Sequence, residues 1–122
     1  MEFRPFENDA NAPYAQLGLR FAQALSSGDY KSASAMLTPT LRAAYPPEIL
    51  SQRYRDMVGE DASPPDLIKV ITTMTEWPDK LIGDAGWVYV AIAGRMYSEA
   101  VTCIVVGNEG LQHIRSIEWG RP

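Results

Sequence analysis

The chain has 122 residues, 46% of them apolar and 21% charged, with a net charge of −4. That length suits a single domain able to bury a core without metal or disulfide support. The acidic balance argues against a nucleic-acid binder, which needs a basic face to displace phosphate counterions, and against an anionic membrane surface, while remaining compatible with a basic partner.

Met1–Asn11 holds three acidic residues and no apolar stretch, so it reads as an arm (residues 1–10) and not as a signal peptide. With no run of about eighteen apolar residues anywhere, a cytoplasmic location is expected. The first helix is expected to start near Asn11, a favourable N-cap, with Pro13 close to its first position. Tyr14, Leu17, Phe21, Ala24 and Leu25 then share one helical stripe. Gly28 suits the left-handed stop, and Asp29 caps a second, shorter helix carrying Tyr30, Ala33, Met36 and Leu37. Thr38-Pro39 ends that segment, and Thr40–Tyr45 reads as an irregular turn. Pro46-Pro47 opens a third helix, with Leu50, Tyr54, Met57 and Val58 continuing to Gly59.

Past the Pro-rich loop Glu60–Pro65 the period changes to that of strands. Leu67–Trp77 is rich in Ile, Val and Thr, and Ala85–Ala93 and Tyr97–Val106 follow as two further strands. Gly107-Asn108-Glu109-Gly110 is a hairpin turn, and Leu111–Trp119 is the fourth strand. Short connections make the last three antiparallel neighbours. The expected fold is therefore α+β: three N-terminal helices packed on a curved four-stranded antiparallel sheet, in one domain spanning residues 1–122.

Trp87–Ala93 is apolar or aromatic at every position, as in a strand covered on both faces. One helical layer covers one face, which leaves the other for a second copy of the chain, a partner protein, the N-terminal arm or a ligand. Alternation puts Trp87 and Tyr89 on one side, with Val88, Val90 and Ile92 on the other. In the last strand Ile114 and Ile117 have opposite parity, which calls for a bulge near Arg115-Ser116 or burial on both sides. If that strand is regular, Leu111, His113, Arg115, Ile117 and Trp119 share a side.

The stretch Phe21-Ala22-Gln23-Ala24-Leu25-Ser26-Ser27-Gly28-Asp29-Tyr30, an amphipathic helix closing on a Gly-Asp break before an aromatic, resembles the nuclear transport factor 2-like superfamily. The closing hairpin, Tyr97–Val106 then Leu111–Trp119, is similar to that family's last two strands. The resemblance runs from about Pro13 to Trp119 and rests on the order of elements. It implies a cone-shaped domain with helices packed into a bent sheet, often enclosing a pocket and often dimerising through the sheet. Members include isomerases, dehydratases, epoxide hydrolases, carriers, protein-transport factors and toxin-neutralising immunity proteins, and fold alone does not choose among them.

The catalytic inventory is thin. An isomerase of that family needs a pocket carboxylate and an oxyanion donor such as Tyr. The strand acids Glu76, Glu99 and Glu118 stand near strand ends and read as solvated or structural, and Asp29 reads as a cap. His113, the sole histidine, excludes a multi-histidine metal site, although histidine as a residue type, with an unperturbed pKa near 6.5, is the natural general base if there is one. Cys103, the only cysteine, lies in an apolar run and reads as a buried hydrophobe. Phosphate-loop, dinucleotide and Gly-x-Ser-x-Gly patterns are missing, and neither metal nor organic cofactor is expected.

The leading expectation is thus a noncatalytic protein-binding domain, of the toxin-neutralising kind, acting through a protein partner or homodimer on the sheet face. Trp87, Tyr89, His113, Arg115 and Trp119 are its candidate contacts, since Trp, Tyr and Arg dominate binding hot spots. The alternative is a carrier of a small apolar ligand, or an isomerase- or dehydratase-like enzyme, with Tyr30, Tyr54 and His113 as polar groups of the pocket.

Overall fold

The computed structural model describes residues 9–108 and 110–121; the first eight residues of the arm, Glu109 of the hairpin turn and Pro122 lie outside them. Helix α1 (Pro13–Ser27) buries Tyr14, Ala15, Leu17, Gly18, Phe21, Ala22, Ala24 and Leu25, the expected stripe widened by its small residues. Its N-cap is Ala12 and not Asn11, at φ −61°, ψ 145°. Pro13 dictates this, because a proline forces the residue before it into extended geometry. Gly28 ends α1 at φ 80°, and its N–H reaches the Leu25 carbonyl at 3.3 Å.

Helix α2 (Tyr30–Ala35) is capped by Asp29, whose carboxylate accepts from the Ser32 N–H at 3.2 Å. It is shorter than the sequence suggests because Met36–Thr38 leaves it to pair with the last strand. The Thr38 N–H reaches the Ile114 carbonyl at 2.8 Å, and the Ile114 N–H reaches the Met36 carbonyl at 2.9 Å. Where an irregular turn was expected there is a helix, α3 (Pro39–Ala44), so the layer has four helices and not three. Thr38 caps it, accepting from the Leu41 N–H at 3.3 Å, with Pro39 at its first position. Helix α4 (Pro47–Val58) buries Leu50 and Tyr54. Among the described residues no helix is long and apolar enough to cross a membrane.

Four strands follow: β1 (Leu67–Met74), β2 (Asp84–Ala93), β3 (Ser98–Val106) and β4 (His113–Trp119). They form an antiparallel sheet in the order β1-β2-β3-β4, which is not closed. The chain is therefore α+β, helices first. Strand β1 ends three residues earlier than expected, leaving Glu76 and Trp77 in a loop. Leu111 lies in the turn before β4, its N–H bonded to the Asn108 carbonyl at 2.9 Å.

The sheet has two unlike faces. On the inner face Val70, Val88, Val90, Ile92, Val101, Cys103, Val105 and Ile114 join Phe21, Leu25, Leu37 and Leu50 in one buried core. Helix α1 lies so close that a Cβ on Gly86 would stand 2.2 Å from the Tyr14 ring; glycine there is a packing requirement. Bulges interrupt all three strand pairs, one of them at Arg115, where Ile104 pairs with Ser116 and Val105 with Ile114. The extra residue changes the strand's parity. Ile117 and Trp119 therefore point inward with Ile114, while His113, Ser116 and Glu118 point outward. The common side expected for Leu111, His113, Arg115, Ile117 and Trp119 does not exist.

Candidate functional site

The outer sheet face carries the aromatic pair that alternation placed there. Trp87 and Tyr89, two residues apart on β2, stack with ring centroids 6.3 Å apart and planes 13° from parallel. Their cross-strand neighbours are Met74 and Thr72 on β1, and Ile104 and Thr102 on β3. Trp87, Tyr89, Ala91, Met74 and Ile104 are half-buried and stand apart from the core, whose helices pack on the opposite face. Flat side chains at consecutive same-face positions shield one another, so they form a continuous apolar surface.

One end of this face is fixed by a salt bridge. The Arg115 guanidinium donates to the Asp84 carboxylate through Nε at 2.6 Å and through a terminal nitrogen at 2.7 Å. The Leu81 N–H adds a third bond at 2.8 Å. These bonds, Arg115 first, hold the Asp84 carboxyl below the usual carboxylate range, and the same pairing raises the Arg115 pKa. Asp84 is the buried acid among the described residues; paired in this way it is a brace, with no proton to trade near neutral pH. Arg115 is thus engaged within the chain. His113 pairs with Val106 at the start of β4, on the outer side, and among the described residues no group bonds its imidazole.

Tyr30 and Tyr54, expected together, do line one cleft of about 190 Å³ with Val58, Ser63, Pro64 and Pro65. His113, on the outer face, does not line it. Tyr97 takes part instead: beside Tyr54, it donates its hydroxyl to the Ser63 carbonyl at 2.8 Å. Burial first, then neighbouring Tyr97 and Tyr30, pushes the Tyr54 hydroxyl far above the ordinary tyrosine range, so it is a neutral donor. The cleft is smaller than the roughly 300 Å³ at which small-molecule sites begin.

Trp119, on the inner side, has Tyr45 at 6.0 Å between centroids and the Arg53 guanidinium 5.7 Å from its ring. It lines a cleft of about 320 Å³ with Arg53, Asp56, Met57, Glu99 and Gly120. Its buried Nε1 has no acceptor among the described residues. Cys103 is fully buried on the inner face, and desolvation pushes its thiol up to about 12, which leaves it inert as a nucleophile. Among the described residues no group of three or more His, Cys, Asp or Glu could hold a metal ion.

The candidates therefore separate into the outer face (Trp87, Tyr89, His113, with Arg115 braced at its end), the tyrosine cleft (Tyr30, Tyr54) and the indole cleft (Trp119). Sequence reasoning missed Asp84, Tyr97 and Arg53. Asp84 is the one with a readable signal, an acid opening an apolar strand; its partner stands thirty-one residues away. The chain matches no protein-family model, and no curated protein matches it.

Proposed function

We propose that the chain is a noncatalytic protein-binding domain of the nuclear transport factor 2-like kind, acting in the cytoplasm through the outer face of its sheet. The observation that carries this reading is the Trp87–Tyr89 stack and its apolar neighbours, set on the face opposite the helices. Rigid aromatics on a sheet contribute large contact area at low entropic cost. The interior supports the same reading. Phe21, Leu25, Leu37, Leu50, Ile92 and Ile114 fill the space between helices and sheet, and the buried acid is neutralised by Arg115. Within this class a toxin-neutralising role fits a net charge of −4, which draws a basic effector.

Radical footprinting tests the reading, because Trp, Tyr and Met are the most readily oxidised side chains on that face. Trp87, Tyr89 and Met74 are expected to oxidise in dilute purified protein and to be protected inside cells. Equal oxidation in both settings refutes a protein-covered face.

A second reading, a small-ligand carrier, is favoured by one observation: the cleft beside Trp119 reaches the size range of ligand sites, and the buried Trp119 Nε1 has no acceptor among the described residues. It requires a ligand that shifts Trp119 fluorescence and raises the melting temperature together.

A further inference from the structure

The cleft beside Trp119 holds charges that the chain leaves unneutralised. One wall is α4, where Asp56 and Met57 stand three and four residues after Arg53 and so share its flank of the helix. The other wall is the end of the β3–β4 pair, with Trp119, Gly120 and Glu99. Glu99 points inward with its cross-strand neighbour Ile92, and a Cβ on Gly120 would stand 3.8 Å from the Glu99 Oε1. Arg53 lies on the Trp119 ring, and among the described residues its guanidinium has no hydrogen-bond acceptor and no carboxylate at ion-pair distance. Glu99 has no cation partner among them either. Asp56 accepts from the Gln52 amide at 2.9 Å, a neutral partner that leaves its charge in place. Arg53 and Asp56 are exposed, so the cleft opens at the surface and is not the filled space between helices and sheet.

Positive and negative groups on facing walls that do not close on one another suit a ligand carrying both charges. We propose that the cleft binds a free α-amino acid with an apolar side chain of leucine's size. This rests on the carrier reading of the cleft, names its ligand class and does not involve the outer face. The Arg53 fork takes the ligand's carboxylate through two parallel hydrogen bonds. Glu99 takes its ammonium, and Asp56 adds a second negative charge nearby. Met57 and the Trp119 ring receive the side chain. A simple carboxylate would meet Arg53 but also the two acids, and a simple amine would meet the acids but also Arg53. The zwitterion alone satisfies both signs.

The dimensions agree. An α-amino acid has its nitrogen and a carboxylate oxygen about 3 Å apart, and with a charge-assisted hydrogen bond at each end it spans about 8–9 Å. A compact space of about 320 Å³ is itself about 8–9 Å wide. So small a ligand in an open cleft is expected to bind with a dissociation constant on the order of 0.1–1 mM.

Titration with L-leucine to about 20 mM, followed by proton–nitrogen correlation spectra, tests the site. The Gly120 amide and the Trp119 indole, assigned with Trp119→Phe, should shift along a saturating curve while the Trp77 and Trp87 indoles stay in place. L-leucinamide, which lacks the carboxylate, and N-acetyl-L-leucine, which lacks the ammonium, should each bind at least about tenfold more weakly. Arg53→Gln should weaken leucine at least about tenfold and leave leucinamide unchanged; Glu99→Gln should weaken leucine and leave N-acetyl-leucine unchanged. Neither side chain belongs to the core, so both variants should melt with the parent, and the comparison of the three compounds needs no variant. Equal affinity for leucine and either derivative, or no saturable shift with leucine, overturns the amino-acid site. If hexanol nevertheless shifts the Trp119 indole and raises the melting temperature, the carrier reading stands with an uncharged ligand; if it does neither, that reading falls too.

Discussion

Arg115→Leu takes both guanidinium bonds from Asp84 and leaves the Leu81 N–H as the described donor to that carboxylate. The Asp84 side chain is 0% exposed and that of Arg115 25%, so water does not replace the lost bonds unless the corner opens. Removing one partner of a buried pair costs about 3–5 kcal/mol, and the partial exposure of Arg115 points to about 3. For a chain of this length that lowers the melting temperature by about 12 °C. The pH dependence has a definite sign. In the parent the Asp84 pKa is held below its unfolded value of about 3.9, so the stabilisation is complete above that value and lost as pH falls through the folded one. In the variant the carboxylate is buried without a cation, its pKa rises above the unfolded value, and acidification relieves the penalty. Urea melts followed by circular dichroism at pH 7 and pH 5 should therefore show a variant deficit that narrows toward pH 5. Asp84→Asn added to Arg115→Leu should recover much of the loss, since no charge is then stranded. A single variant within about 1 kcal/mol of the parent, with an unchanged pH slope, refutes the brace.

Gly86→Ala should cost at least about 3 kcal/mol or prevent folding, because the added Cβ meets the Tyr14 ring on a rigid helix; a melt within about 1 kcal/mol of the parent contradicts the close approach. Phe21→Asp, a charge at a fully buried position, should abolish the cooperative transition. Tyr97→Phe should leave global stability within about 1.5 kcal/mol while speeding amide exchange in residues 60–65, whose tie to Tyr97 runs through the Ser63 carbonyl. Cys103 should ignore a thiol reagent at pH 8 until the protein unfolds, its thiol being buried and pushed up to about 12; stoichiometric labelling of folded protein contradicts its placement on the inner face.

The helical half is legible because its signals are local. The 3.6-residue stripe of α1, the Gly28 stop and the Asp29 cap each act within a few residues, and each stands where the sequence indicates. Helix α3 was missed because Thr38 does two things: it ends the segment after α2 and caps the next helix, and only the Ile114 pairing separates the two. The sheet's alternation around Trp87 and Tyr89 was legible for the same local reason. The facing of β4 was not, since one bulge residue reverses parity for everything after it. The grouping of candidates was the least legible part. Whether Arg115 is a free contact or a brace depends on Asp84, far away in sequence, and local pattern carries no information about that pairing.

The central claim is that a protein covers the Trp87–Tyr89 face. A photo-reactive benzoylphenylalanine in place of Tyr89, with Lys31 on α2 as an exposed control site away from the sheet, tests it most directly. Irradiation of cells should give a discrete protein adduct from position 89, at twice the chain's mass for a second copy, and none from position 31. No adduct at position 89, or the same diffuse labelling at both positions, contradicts the claim.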